Sequence, residues 1–275
     1  MVDSMLMNEE EQANLPPPSE KFKIDPVKNS DVKITHRYTL GDTSVVTLCV
    51  RYDPNDKYIA TGCFDGSIRI YNVFTGKQSY TLNLDGEERM PTTNIKWRPL
   101  CAPGVTKNVI IAASADGTLK HWHTTSGRLL NTTYSEDHKV KTCDYKPDGT
   151  AFLTADDDFI IRVYDEQTRQ LKAEMTGGLN EQIHSNRIMC AKFDKEDENL
   201  IISGGWDQNV KIWDIRQSSS VRTFVGPMIT GDAIDIHDGY ILTGSYTTEN
   251  QLQLWDFNTC EHIEDIPWDE ALPSD

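Results

Sequence analysis

An all-β chain built from one repeated four-strand unit is what this sequence predicts, and three observations carry the prediction. From about residue 34 onward, short runs of Val, Ile, Leu, Thr and Tyr are broken every eight to twelve residues by Gly, Asp, Asn or Pro, the rhythm of strands joined by tight turns. No stretch sustains the apolar period of a long helix. One type of segment recurs, starting at 58 (YIATGCFDGSIRIYN), 110 (IIAASADGTLKHWH), 152 (FLTADDDFIIRVYD), 201 (IISGGWDQNVKIWD) and 241 (ILTGSYTTENQLQLWD).

In chain order, residues 1–33 carry prolines, charge and almost no periodic apolar pattern, so they read as an acidic, Pro-containing disordered tail. The remainder, 34–275, is the folded domain. "KITHRYTL" opens it with one isolated strand. Five repeats follow, at about 44–84, 90–135, 137–177, 184–226 and 229–268. Each reads as an entry strand a, a tight b–c hairpin and a closing strand d. In the first four an Asp stands six residues ahead of an aromatic: Asp65 and Tyr71, Asp116 and Trp122, Asp158 and Tyr164, Asp207 and Trp213. In the fifth, the hairpin before Trp255-Asp256 is two residues longer. The equivalent residues Thr61, Ala112, Thr154, Ser203 and Thr243 lie 51, 42, 49 and 40 apart, a period in the forties with insertions.

These segments resemble WD40 repeats, whose signature is a four-stranded propeller blade closing on Trp-Asp. The resemblance covers about residues 35–268 and implies a β-propeller of five four-stranded blades. In that family a His ahead of strand a, a Ser or Thr on strand b, the turn Asp and the strand-c Trp form one buried hydrogen-bonded network. Two repeats supply all four types: His138, Thr154, Asp158 and Tyr164, with Tyr in place of Trp, and His184, Ser203, Asp207 and Trp213. Those residues are first of all structural. The family also closes its ring by lending an N-terminal d strand to a last blade, which leaves no long exposed edge. Here "KITHRYTL" is an orphan d strand without its a, b and c partners. The expectation is a truncated piece of a seven-bladed ring.

Composition narrows the function. The formal net charge is -16, from 27 Lys and Arg against 43 Asp and Glu, a field that repels nucleic acid and anionic membranes. No apolar run is long enough to span a bilayer, and the N-terminus lacks the basic and apolar regions of a secretory signal. A cytoplasmic or nuclear protein with protein partners is expected. The six scattered cysteines form no Cys-x-x-Cys and read as reduced packing residues. No nucleophile elbow, phosphate-binding loop, zinc motif or dinucleotide fingerprint is present, so no cofactor and no metal is implied. His121 and His123 share one face of a strand, but position 121 aligns with Ile70, Val163, Ile212 and Leu254, which marks it as an inter-blade histidine. In "TADDDF", Asp158 belongs to the turn and its neighbours read as solvated or interface carboxylates.

The resemblance also says where partners bind, since the position just before the turn Asp points out from one face of WD40 propellers. Here it holds Phe64, Ala115, Asp157, Trp206 and, in the longer hairpin, Tyr246. Aromatics suit interface anchors. Arg187 and Met189, with Lys139 and Lys141, are expected to line the central opening beside them. The function implied is a non-catalytic scaffold that holds several proteins at once. A second reading rests on Trp213-Asp214-x-Arg216, which resembles the box of substrate receptors of cullin-4 ubiquitin ligases, where Arg216 would dock the adaptor through a forked contact. An enzyme built on a propeller is a third reading, which no residue constellation supports.

Overall fold

The computed structural model describes residues 36–41, 44–83, 89–100, 107–134, 139–177 and 183–267. The chain divides into two units, Met1–Tyr38 and Thr39–Asp275. Of the first, residues 36–38 are described; they carry no strand, and the Arg37 guanidinium lies 5.1 Å from the Tyr38 ring centre.

The second unit is five sheets, each of four antiparallel strands in sequence order. Blade 1 is β1 (Thr47–Tyr52), β2 (Tyr58–Cys63), β3 (Ile68–Asn72) and β4 (Gln78–Leu82). Blade 2 is β5 (Thr92–Trp97), β6 (Val109–Ser114), β7 (Thr118–His123) and β8 (Arg128–Tyr134). Blade 3 is β9 (Thr142–Tyr145), β10 (Ala151–Ala155), β11 (Ile161–Asp165) and β12 (Leu171–Met175). Blade 4 is β13 (Ile188–Phe193), β14 (Leu200–Gly205), β15 (Asn209–Asp214) and β16 (Ser219–Val225). Blade 5 is β17 (Ile234–His237), β18 (Tyr240–Gly244), β19 (Leu252–Asp256) and β20 (His262–Ile266). The described residues thus hold twenty strands, one fewer than expected. Residues 36–40 of the anticipated orphan strand are not in a strand, and 33–35 lie outside the described residues.

Repetition of sequence gives repetition of turns. In blades 1 to 4 the turn Asp accepts the backbone N–H two residues on: Asp65 from Ser67 (2.9 Å), Asp116 from Thr118 (2.9 Å), Asp158 from Ile160 (3.1 Å) and Asp207 from Asn209 (3.2 Å). The residue after each Asp takes the left-handed conformation, at Gly66, Gly117, Phe159 and Gln208. The residue after the strand-c aromatic performs the same service for the c–d turn. Asn72, Asp165, Asp214 and Asp256 accept the N–H groups of Phe74, Gln167, Arg216 and Asn258 at 2.8–2.9 Å. The Asp of Trp-Asp is therefore a turn former.

Alternation along the strands puts one apolar row on each face of a blade, and successive blades bury those rows in four seams. Ala60, Ile68, Ile70 and Leu82 meet Ile95, Ile110, Ala112 and Trp122 between blades 1 and 2. Ile111, Ala113 and Leu119 meet Val140, Cys143, Phe152 and Tyr164 between blades 2 and 3. Leu153, Ile161, Val163 and Met175 meet Ile188, Ala191, Ile201 and Trp213 between blades 3 and 4. Ile202, Val210, Ile212 and Phe224 meet Ile234, Ile236, Ile241 and Trp255 between blades 4 and 5, where the Phe224 and Trp255 rings stack 4.4 Å apart. Among the described residues no apolar cluster joins blade 5 to blade 1. Leu242 on the far face of blade 5 is 37% exposed, and Leu48, Val50 and Tyr52 of β1 are 45–58% exposed.

Candidate protein-interaction site

Blade 4 contains the most complete polar network. His184 Nδ1 lies 2.9 Å from Asp207 Oδ2 and its Nε2 lies 2.7 Å from Ser203 Oγ, which also accepts the Trp213 indole N–H at 2.8 Å. Burial opposes ionisation of Asp207, but the hydrogen bonds from His184 and from the Ser185 and Asn209 amides outweigh it and hold the carboxyl below its usual range. Where the described residues offer no such His, the turn Asp pairs with a cation four residues on: Asp65 with Arg69 (3.5 Å), Asp116 with Lys120 (3.2 Å) and Asp158 with Arg162. His138 lies outside the described residues, and Asp158 shares Arg162 with Asp156 and Glu174, while Tyr164 stacks on Phe152 at 5.2 Å. Blade 5 keeps one link, from the Trp255 indole to Thr243 Oγ1 at 3.0 Å.

These turns set out a rim. The residue ahead of each turn Asp, or its counterpart in blade 5, donates its amide to the segment entering strand a: Phe64 to Val46 (2.8 Å), Ala115 to Pro91 (2.9 Å), Trp206 to Arg187 (3.1 Å) and Tyr246 to Met228 (2.9 Å). With their backbones pinned inward, Phe64, Trp206 and Tyr246 are 60%, 39% and 75% exposed. Arg187 lies over Trp206, its guanidinium 5.4 Å from the ring centre. In blade 3 the Asp157 carboxylate instead accepts the Lys139 amide at 3.0 Å.

Inside the rim, β1, β5 and β13 and the segments leading into β9 and β17 line an axial cavity of about 600 Å³, whose lining includes Leu48, Val50, Arg51, Asn94, Lys141, Met189 and Asp232. Burial, with Arg187 and Lys139 close by, pushes the Lys141 ammonium below its ordinary range against the pull of Asp157. Deeper on the axis, one register position carries a charge in every blade: Arg51, Lys96, Asp144, Lys192 and Asp235, opposite Ala60, Ile111, Leu153, Ile202 and Leu242. Asp232 gathers Arg51, Lys192 (2.9 Å) and Lys96 (3.9 Å), and Asp144 takes Lys96 at 3.2 Å. This belt was not anticipated from the sequence. Its signal is an apolar, charged, apolar triplet on each first strand: VRY, IKW, CDY, AKF and IDI.

Two sequence candidates stand apart from the rim. Arg216 sits in the c–d turn, at the opposite end of β15. It is 63% exposed in its side chain and engaged by Asp214, Nε to Oδ1 at 2.9 Å and Nη2 to Oδ2 at 2.6 Å. His121 is fully buried between blades 2 and 3, its Nε2 3.2 Å from Glu166, which also pairs with Arg98 and Arg169. Burial first, then the two guanidinium groups, push its pKa down to about 2, so the imidazole is neutral. His123 turns outward to Ser126 Oγ at 2.6 Å.

The family model described as WD domain, G-beta repeat, matches residues 34–72, 127–165 and 180–214. These matches end on the strand-c pairs of blades 1, 3 and 4; the missing pair are the blade with HWH and the blade with the lengthened hairpin. Similar proteins include the periodic tryptophan protein 2 homolog of Dictyostelium discoideum, 26% identical over 74% of this chain and 20% of its own length. The U3 small nucleolar RNA-associated protein 21 homolog of Schizosaccharomyces pombe is 24% identical over 79% and 22%. The pre-mRNA-splicing factor cwf17 of the same yeast is 25% identical over 72% and 54%. The chain thus spans about a fifth of the first two and about half of the third. A chain in the crystal structure of the mitotic checkpoint complex superposes with a TM-score of 0.68 at 17% identity, covering 84% of this chain and 67% of that one. With five repeated blades, turn-forming residues after the strand-c aromatics and these matches in hand, the chain is a five-bladed β-propeller that carries WD40 repeats in three matched regions.

Proposed function

We propose that this chain is a non-catalytic scaffold that holds other proteins, several at once, on the face made by its b–c turns and the axial opening beneath them. The observation that carries the reading is the common placement of Phe64, Trp206 and Tyr246, pinned by their amides and exposed by their rings. Large aromatics held rigidly at a surface lose little side-chain entropy on binding and bury much area. Asp157, Arg187 and Met189 add charge and an apolar patch beside them. Relatives named for splicing and for association with a small nucleolar RNA support work inside assemblies, in the nucleus or the cytoplasm. The net charge of -16 favours protein partners over direct contact with nucleic acid.

The test is purification of the tagged chain at native expression level with quantitative mass spectrometry of what it carries. A Trp206→Ala, Tyr246→Ser variant is expected to lose partners that Arg216→Ala keeps. An unchanged partner set in the rim variant sinks the reading. The ligase-receptor reading rests on the exposure of Arg216 at the other face; its outcome is selective loss of a cullin-4 adaptor with Arg216→Ala.

A further inference from the structure

The axial cavity holds two polar groups whose bonding is incomplete. Asn94 is 4% exposed and its Nδ2 donates to Thr142 Oγ1 at 3.1 Å, but among the described residues its Oδ1 has no hydrogen-bond partner. A buried acceptor left so is costly, and this atom lies behind the lining, out of reach of a ligand. The second group is Lys141, on the segment leading into β9, half-buried in the same lining. The deeper cations Arg51, Lys96 and Lys192 are already matched by Asp232 and Asp144. Lys141 has no ion pair within 4 Å among the described residues, while Arg187 and Lys139 stand near it and Asp157 is the opposing carboxylate. On a chain with net charge -16 this is a local surplus of positive charge, placed where solvent is partly excluded and a partner anion gains most.

We infer that the axial opening receives an acidic peptide segment, whose Asp or Glu carboxylate pairs with Lys141. This rests on the rim-binding reading above and names its ligand class. Leu48, Val50 and Met189 in the same lining receive an apolar side chain next to the acidic one, and the rim aromatics take the flanking residues. A singly charged carboxylate fits better than a phosphate. Asp157 offsets part of the surplus, and a dianion at the mouth would face both it and the overall negative field.

The probe is an array of immobilised nonapeptides, random except for a central Glu, Gln, Lys or phosphoserine, overlaid with the purified full chain. Lys141→Gln, Lys141→Arg and Trp206→Ala are run beside it, each checked for folding by near-ultraviolet circular dichroism. Central Glu is expected to capture about tenfold more chain than central Gln, the scale of one charge-assisted hydrogen bond. Lys141→Gln should erase that margin and Lys141→Arg restore it. Equal capture on Glu and Gln, or a margin that survives Lys141→Gln, overturns the inference. A preference for Lys or phosphoserine also overturns it, yet leaves the rim reading standing if Trp206→Ala still abolishes capture. Capture unaffected by Trp206→Ala removes the rim reading, and no capture on any array removes both.

Discussion

Asp207 and Asp65 occupy the same position in their blades and differ in what they hold. Asp207 is fastened to a buried histidine that reaches Ser203 and, through it, the Trp213 indole, so its removal leaves several buried groups unpaired. Asp65 bonds its own turn and Arg69 near the surface, where lost partners are replaced by water. Asp207→Ala should therefore lower stability by about 1–3 kcal/mol and Asp65→Ala by about 1 kcal/mol or less, read from the shift in urea midpoint; equal losses would mean the histidine network adds nothing. His121 gives a pH prediction. Its folded pKa is depressed, so below about pH 6.5 the unfolded chain takes up a proton that the native seam refuses, and stability falls as pH falls. Between pH 6 and 5 the loss should approach about 1.4 kcal/mol per pH unit. In His121→Gln that slope should disappear, while the carboxylates, Asp207 among them, become limiting only at lower pH.

At the scale of an element, the hairpins are specified by close approach as much as by propensity. A Cβ on Gly205 would sit 2.1 Å from the Arg187 carbonyl oxygen, at the irregularity where β13 shifts register between Ile188 and Cys190. Gly205→Ala should disrupt the β13–β14 edge and cost several kcal/mol, of the order seen for overpacking with backbone shifts. Gln208, by contrast, is a non-glycine residue at φ 57° in the b–c turn, where blades 1 and 2 use Gly66 and Gly117. Gln208→Gly should stabilise, or at worst be neutral, within about 1 kcal/mol, because relief of the left-handed conformation opposes the extra entropy of the unfolded chain. Thermal melts of both variants check the pair. Blade positions were legible in the sequence because the turn Asp and the strand-c aromatic are six residues apart, and the Asp and the residue after the aromatic make the local bonds that fix the b–c and c–d turns. The places of the rim aromatics followed from the same landmark. Of the axial cavity, Lys141 and Met189 were expected from the resemblance to line it, but Asn94 and Asp232 beside them were not legible. Asn94, Lys141 and Asp232 come from three repeats, and their convergence depends on strand tilt and on bulges such as the one between Thr92 and Asn94. Residues 36–40 of "KITHRYTL" are in no strand; alternation of apolar residues carries no information on whether another strand is there to pair with.

Across the whole molecule, the seams are unequal. Four are filled by apolar rows, and blade 5 presents the counterpart of such a row, with Leu242 opposite Leu254 and Leu252 opposite Ile266. The matching residues of blade 4, Ile202 with Ile212 and Val210 with Phe224, are 0–6% exposed beneath blade 5. Blade 1 approaches this side through Arg51, which pairs with Asp232 on the segment leading into β17. Hydrophobic seams are indifferent to moderate salt, whereas a partly exposed ion pair is screened by it. Opening at this junction should therefore be salt-dependent in a way that opening at the others is not. In native-state hydrogen exchange, amides of β10 and β14, sealed on both sides, should exchange slowest, and those of β1 and β20 fastest. Raising NaCl from about 0.05 to 0.5 M should speed β1 exchange about two- to fivefold, the range a partly exposed pair supplies, and leave β10 unchanged. Asp232→Asn should reproduce the high-salt rate at low salt. If β1 exchange ignores both salt and the substitution, Arg51 and Asp232 are neighbours without being a latch, and the first blade is held by its seam with blade 2 alone.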